Sequence, residues 1–144
     1  MKKILLTFSI IIFAVIANCQ CNNQLVTICS SGLAKNAMYL KELKVRLKAK
    51  ESGKKPPVAR YSLLLNKGTH YRFNICNAKE FKGKAIIQLY DKDRLLGTSY
   101  IAKTKKHYPA FDFICQKTAV YKVLISFENG EEGCAVGILS MIDK

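Results

Sequence analysis

Tyr61 to Cys76 reads YSLLLNKGTHYRFNIC, and this stretch decides the fold. Two apolar runs of strand length flank the connection from Asn66 to Thr69. Gly68 in that connection reaches a positive φ at low cost, so the pattern predicts a strand, a tight turn and a second strand. A similar aromatic run, Phe111 to Cys115, also ends in cysteine and predicts another strand of the same sheet system.

Turn residues recur at regular intervals after residue 58, and this pattern predicts an all-β domain. Short apolar runs separated by turn residues are typical of an antiparallel sandwich or small barrel. We therefore predict an antiparallel jelly-roll-like β-sandwich of about seven strands over residues 58–144. The predicted strands are Tyr61–Leu65, His70–Cys76, Lys84–Tyr90, Leu95–Ala102, Ala110–Cys115, Val120–Phe127 and Cys134–Ile142.

Alternation within these runs predicts the core, because successive side chains of a strand point to opposite faces. The final run, Cys134–Ile142, is apolar on both faces, so we expect it at the centre of a sheet or beneath the N-terminal segment. The predicted core includes Tyr71, Phe73, Ile75, Leu89, Phe111, Phe113, Tyr121, Val123 and Ile125.

Residues 1–19 have the form of a secretory signal peptide. Lys2 and Lys3 precede an apolar run that is too short to span a bilayer comfortably. We predict cleavage before Gln20; the alternative is a lipoprotein, since residues 16–19 approximate a lipobox in which Cys19 would be lipidated. The expected protein is secreted, periplasmic or attached to the cell envelope of a bacterium, with no transmembrane segment after processing.

Residues 20–57 are predicted to form an N-terminal extension and linker. Apolar residues between Leu33 and Leu40 fit one face of a helix, whereas Leu43 to Leu47 alternates as a half-exposed strand does. The charged residues, glycine and proline pair of residues 50–57 predict an exposed loop. We expect a short helix followed by a strand, packed on the sandwich.

The chain is strongly basic. It carries 24 Lys and Arg against 10 Asp and Glu, a formal charge of +14, and residues 1–19 contain two of the lysines and no acid, so the exported chain carries +12. This charge favours an anionic polysaccharide, an envelope surface or another exported protein as partner. The basic residues run evenly along the chain without an arginine cluster, which disfavours specific nucleic-acid binding.

Five cysteines remain after the predicted cleavage. In an exported protein they predict two disulfides and one free thiol. We expect Cys76 to pair with Cys115, because both close similar aromatic strands, and Cys21 to pair with Cys29, because they are near in sequence. The fifth is Cys134.

No metal site or cofactor is predicted. The chain has no Cys-x-x-Cys motif, and its two histidines, His70 and His107, keep no ligand spacing with the cysteines. Calcium at Asp91 and Asp93 is the alternative there, but the adjacent basic residues oppose it and favour an ordinary turn.

The sequence contains no complete catalytic set. Cysteine–histidine chemistry would need His70 or His107 beside a free thiol. Paired carboxylates for glycoside hydrolysis are the other option, although most of the available acids fall in predicted turns. Those acids are Asp91, Asp93, Asp112, Glu131 and Glu132. We therefore predict no catalytic residue.

The basic loop from Lys103 to Lys106 is the candidate ligand-binding element. Aromatic and imidazole rings flank it and could be presented beside the cations to a polymer; an ordinary solvated loop is the alternative. The candidate binding residues are Tyr100, Lys103, Lys105, Lys106, His107 and Tyr108.

The order of several motifs resembles the bacterial pre-peptidase C-terminal domain over about residues 58–142. The motifs are the runs Tyr61–Leu65, Gly68–Phe73, Ile87–Asp91, Phe111–Phe113 and Thr118–Val123. The resemblance implies a jelly-roll-like β-sandwich, a type of module that accompanies secreted enzymes as an accessory or binding domain.

Together these features predict an exported, non-enzymatic binding or envelope-associated module with a basic surface. The alternative is a small exported hydrolase, or a protease inhibitor, whose site lies on its loops.

Overall fold

The computed structural model describes Cys21 and residues 23–143. The predicted signal peptide, its cleavage site and the alternative lipidation of Cys19 lie outside this part of the chain. The described elements begin with helix α1 (Asn23–Ser31) and include a short 3-10 helix, η1 (Glu128–Gly130). The strands are β1 (Ala37–Leu47), β2 (Ala59–Leu65), β3 (His70–Asn77), β4 (Ala85–Asp91), β5 (Arg94–Thr98), β6 (Tyr100–Ile101), β7 (Lys106–His107), β8 (Ala110–Ile114), β9 (Ala119–Phe127) and β10 (Gly133–Ile142).

Eight of these strands form two antiparallel sheets. The order in sheet A is β1-β10-β3-β8, and the order in sheet B is β2-β9-β4-β5. Every neighbouring pair is antiparallel. A jelly roll has this arrangement, with eight strands in two packed sheets of four. The predicted all-β sandwich is therefore confirmed.

The core lies between the two sheets, because alternate residues of each long strand point inward. Phe73 and Leu43 from sheet A are fully buried against Ile87, Leu89 and Val123 from sheet B. The predicted core residues Tyr71, Phe73, Ile75, Leu89, Tyr121, Val123 and Ile125 are buried, and Phe111 and Phe113 are partly buried against them.

β10 is buried on both faces, as its uniformly apolar sequence predicts. Ala135 and Leu139 join the core between the sheets. Val136 and Ile138 face the other way and pack against Leu25 of α1 in a second, smaller cluster. No helix in the described residues is long and apolar enough to cross a membrane.

The order of a helix followed by a strand is confirmed for the N-terminal segment, but two details were wrong. The helix lies at Asn23–Ser31 and not between Leu33 and Leu40. The strand does not merely pack on the sandwich: β1 pairs with β10 from Ala37 to Leu47 and forms an edge of sheet A. It therefore adds an eighth strand to the seven predicted after residue 58.

The predicted disulfide pairings were wrong, although the expected number of bridges and of free thiols holds in the described residues. Cys21 pairs with Cys134, and Cys29 pairs with Cys76. Cys115 is free and buried. The two bridges tie the N-terminal segment to the outer face of sheet A, because Cys134 and Cys76 lie on the neighbouring strands β10 and β3.

Candidate functional site

A two-stranded ribbon, separate from both sheets, projects from one end of the sandwich. We call residues 100–107 the finger. Its strands β6 and β7 pair Tyr100 with His107 and Ile101 with Lys106. The predicted single strand Leu95–Ala102 is therefore divided, with β5 in sheet B and β6 in the finger. All residues from 101 to 106 are exposed.

Ser99 anchors the finger to sheet B. It is fully buried; its N–H donates to the Ile87 carbonyl at 3.0 Å and its Oγ accepts from the Ile87 N–H at 3.0 Å. The returning chain is fixed at the same point, since the Tyr108 N–H donates to the Ser99 carbonyl at 2.8 Å. Ser99 thus bonds the outgoing end of the finger to the core strand β4, and the returning end is bonded to Ser99.

A side-chain cluster rigidifies the base of the finger. The Tyr100 hydroxyl donates to Oε1 of Glu128 at 2.9 Å, and Nε2 of His107 lies 2.9 Å from Oε2 of the same carboxylate. The Tyr100 and His107 rings are also in contact, with centroids 4.5 Å apart. Because an ionised carboxylate can only accept, Nε2 of His107 carries the hydrogen in this contact.

The electrostatics of the base favour an ionised Glu128. The hydrogen bond from His107, and then that from Tyr100, lowers the pKa of the Glu128 carboxyl below its ordinary value. The same contact raises the pKa of Tyr100, because the neutral hydroxyl is the donor. The ionised Glu128 carboxylate therefore holds β6 and β7 together by accepting from both residues.

Of the six sequence-predicted binding residues, Lys103 and Lys105 lie at the tip of the finger, Lys106 lies in β7, and Tyr108 follows β7 at the base. Lys103, Lys105 and Lys106 are exposed and form no salt bridge within the described residues. The Lys106 ammonium lies 5.0 Å from the ring centroid of Tyr108, which follows β7. The structure brings Tyr100 and His107 together at the base instead; a binding role for any of the six stays a prediction.

Glu128 is the residue of the candidate site that the sequence did not reveal. It follows β9 directly, in η1, and is separated from His107 by 21 positions. The available signal was local: an acid at the end of an alternating strand, just before Asn129 and Gly130, lies at a sandwich end where other connections meet. Nothing in the sequence indicates which connection it contacts.

The second histidine belongs to a surface ion-pair cluster. Asp112 accepts from Nε and Nη2 of Arg72 at 2.5 and 2.8 Å, and its Oδ2 lies 3.1 Å from Nε2 of His70. The Arg72 guanidinium, and then His70, lowers the pKa of Asp112. This cluster lies on the outer face of sheet A.

Cys115 lies on the opposite face from His70. Its Sγ is in the core, 3.2 Å from the Lys117 carbonyl and 3.7 Å from the Tyr121 hydroxyl. Burial, and then the contact with Cys115, raises the pKa of Tyr121 to about 12. A cysteine–histidine pair is therefore not assembled here.

The carboxylates considered for catalysis are dispersed. Asp91 lies 3.5 Å from the Lys117 ammonium, and Glu132 lies 4.0 Å from the Arg46 guanidinium. Asp93 and Glu131 are exposed in connections. Within Cys21 and residues 23–143, no three His, Cys, Asp or Glu side chains gather as metal ligands.

Comparison with solved structures supports the fold. No protein-family model matches the chain, and no curated protein is significantly similar in sequence. The chain is similar in structure to PliG of Aeromonas hydrophila, a periplasmic inhibitor of g-type lysozyme, with a TM-score of 0.53 and 12% identity over 76% of this chain and 90% of that one. At this identity the likeness establishes a shared fold, and it supports the pre-peptidase resemblance only at the level of a β-rich sandwich.

Proposed function

We propose that this protein is an exported, non-enzymatic binding protein that inhibits another exported protein, and that the finger is its binding element. The observation that carries the proposal is the rigid base of the finger, where Glu128 holds both Tyr100 and His107 below an exposed basic tip. A rigid projection loses little conformational entropy when it binds, so its contacts count almost fully toward affinity.

The basic tip suits a cleft lined by carboxylates. Glycoside hydrolases place a pair of Asp or Glu residues around the bond that they cleave. Lys103 and Lys105, which have no acidic partner in the described structure, offer the complementary charge. We therefore assign a lysozyme-type peptidoglycan hydrolase as the target class, and the fold shared with a lysozyme inhibitor supports this choice.

Three features support an exported, non-enzymatic role. Two disulfides within the described chain fit an oxidising compartment, either secreted or periplasmic. His107 is engaged by Glu128 and Tyr100, which leaves no activated nucleophile beside it in the described residues. The free thiol is buried in the core. Attachment to the envelope through a lipidated Cys19 is the alternative to free secretion.

The test is direct binding of the exported protein to a panel of lysozymes that includes a g-type enzyme. The variant changes Lys103, Lys105 and Lys106 to Glu. A matched control changes Lys35, Lys67 and Lys122 to Glu, which are exposed, alter the net charge equally and lie away from the finger.

We expect at least one lysozyme to bind wild type and control alike, and the finger variant to bind at least about a hundredfold more weakly. If the control loses as much affinity as the finger variant, the charge acts diffusely and the finger is not the binding element. If no lysozyme binds, the target class is wrong.

A further inference from the structure

A groove of about 470 Å³ opens beside the base of the finger. One wall is the connection between β3 and β4, residues 78–84, and the other is the segment His107 to Pro109. The buried residues Ile75, Ala78 and Ala85 also line it. Its volume lies in the range of small-ligand sites.

Both walls are preformed by backbone hydrogen bonds. The Ala78 N–H donates to the Cys134 carbonyl at 2.9 Å, and the Gly83 N–H donates to the Glu132 carbonyl at 3.0 Å. Gly83 packs so closely that an added Cβ would lie 2.6 Å from the Glu132 carbonyl oxygen. On the other wall, the Ile75 N–H donates to the Pro109 carbonyl at 2.9 Å. The groove therefore needs little ordering to receive a ligand.

The side chains of the groove combine cations with rings. Lys79, Lys82 and Lys84 line one wall, and none of them forms a salt bridge within the described chain. Phe81, on the same wall as the lysines, is half-buried, and Tyr108 is exposed on the other wall. Rings offer flat apolar contact, and the lysines favour negative charge, although Lys84 also interacts electrostatically with Glu128.

We propose that this groove binds an anionic glycan, namely a chain of sugar rings that carry carboxylates. A peptide that added as a strand would need free backbone donors and acceptors. The backbone groups described above are already bonded within the protein, so recognition falls to the lysines and the rings. A carboxylated sugar fits both kinds of side chain, since its carboxylates can bind the lysines and its ring face can pack on Tyr108. This site is separate from the tip of the finger and does not depend on the proposed protein partner.

The experiment titrates the exported protein with hexagalacturonate, followed by amide chemical shifts. Neutral maltohexaose and a hexaglutamate peptide are the comparison ligands. We expect saturable binding of hexagalacturonate, with shifts confined to residues 77–85 and 107–109, and weaker binding of both comparison ligands.

Two variants locate the site. Lys79→Gln with Lys82→Gln removes two exposed cations and should weaken hexagalacturonate binding by about tenfold. Tyr108→Leu keeps an apolar side chain but removes the ring, and should weaken it by about threefold or more. The charge-matched control, Lys35→Gln with Lys122→Gln, should leave the affinity unchanged.

Three results would overturn the proposal. The first is the absence of saturable hexagalacturonate binding. The second is equal or tighter binding of hexaglutamate, which would identify a peptide groove. The third is an equal loss of hexagalacturonate affinity in the control variant, which would identify diffuse charge. Lysozyme binding through the finger should persist in the variant with Lys79→Gln and Lys82→Gln, so a failure of this inference is distinguishable from a failure of the proposed function.

Discussion

The Tyr100 hydroxyl donates to Glu128 across 2.9 Å, although 28 positions separate the two residues along the chain. This contact joins the outgoing strand of the finger to the connection between β9 and β10, and His107 joins the returning strand to the same carboxylate. The Glu128 side chain thus fixes both strands of the finger, which belongs to neither sheet A nor sheet B.

Glu128→Gln should loosen the finger while leaving the sandwich intact. The amide keeps the size of the side chain but loses the charge that both donors share, so amide exchange at residues 101–106 should accelerate. Hydrogen-exchange mass spectrometry measures this. Glu131→Gln, in the same connection and exposed, is the control and should behave as wild type. Equal protection in all three proteins would show that Ser99 alone holds the finger.

Acid should loosen the finger in the same way. The pKa of Glu128 is lowered in the folded protein, so its contribution is complete above its ordinary value of 4.5 and is lost as the pH falls through the folded value. Exchange at residues 101–106, corrected for its intrinsic pH dependence, should therefore rise as the pH falls below 4.5 and through the lowered pKa of Glu128. The Glu128→Gln variant should lack this transition; a transition of the same size in that variant would assign it to another acid.

Sequence patterns did not predict the position of the helix or the pairing of the cysteines. Alternation predicted the strands because a half-buried strand must repeat every two residues. The helix at Asn23–Ser31 is only nine residues long and buries only Leu25 and Cys29, so it offers few positions from which a helical pattern can be read. Similarity of the strands ending in Cys76 and Cys115 suggested a bridge, yet the Cys115 side chain points into the core while Cys76 faces α1. The face of the sheet on which a cysteine lies follows from the pairing of the strands, and the spacing of cysteines along the sequence does not determine that pairing.

The candidate site was predictable only in part. The lysines and flanking rings between Tyr100 and Tyr108 stand out as a basic, aromatic stretch in the sequence. The role of Glu128 was not predictable, because the end of the sandwich is assembled from connections distant in sequence. The groove beside the finger depends in the same way on the packing of Gly83 against Glu132.

Peptide mapping under non-reducing conditions should recover Cys21 linked to Cys134 and Cys29 linked to Cys76. Replacing Cys29 and Cys76 together with Ser should lower the free energy of unfolding by about 2–5 kcal/mol, because the bridge closes a long loop. Denaturant unfolding measures the change. Recovery of a Cys76–Cys115 peptide would contradict this pairing, and Cys115→Ala, which removes no bridge, is the matched control.

Gly133→Ala should destabilise the sandwich. An added Cβ would lie 2.2 Å from Cδ1 of Phe127, whose ring is buried, so the ring must shift within a packed core. Overpacking of this kind costs about 1–3 kcal/mol. Gly32→Ala is the control, since its Cβ would lie at an ordinary 3.5 Å from the Cys29 carbonyl oxygen. Thermal unfolding that is unchanged by Gly133→Ala would contradict the packing at this position.

The most direct test of the central claim is the steady-state inhibition of peptidoglycan hydrolysis by the lysozyme that binds the exported protein. If the finger occupies the carboxylate-bearing cleft, inhibition by wild type is competitive with the glycan substrate and is lost when Lys103, Lys105 and Lys106 are changed to Glu. Inhibition that is non-competitive, or that is equally strong with the finger variant, would contradict the account.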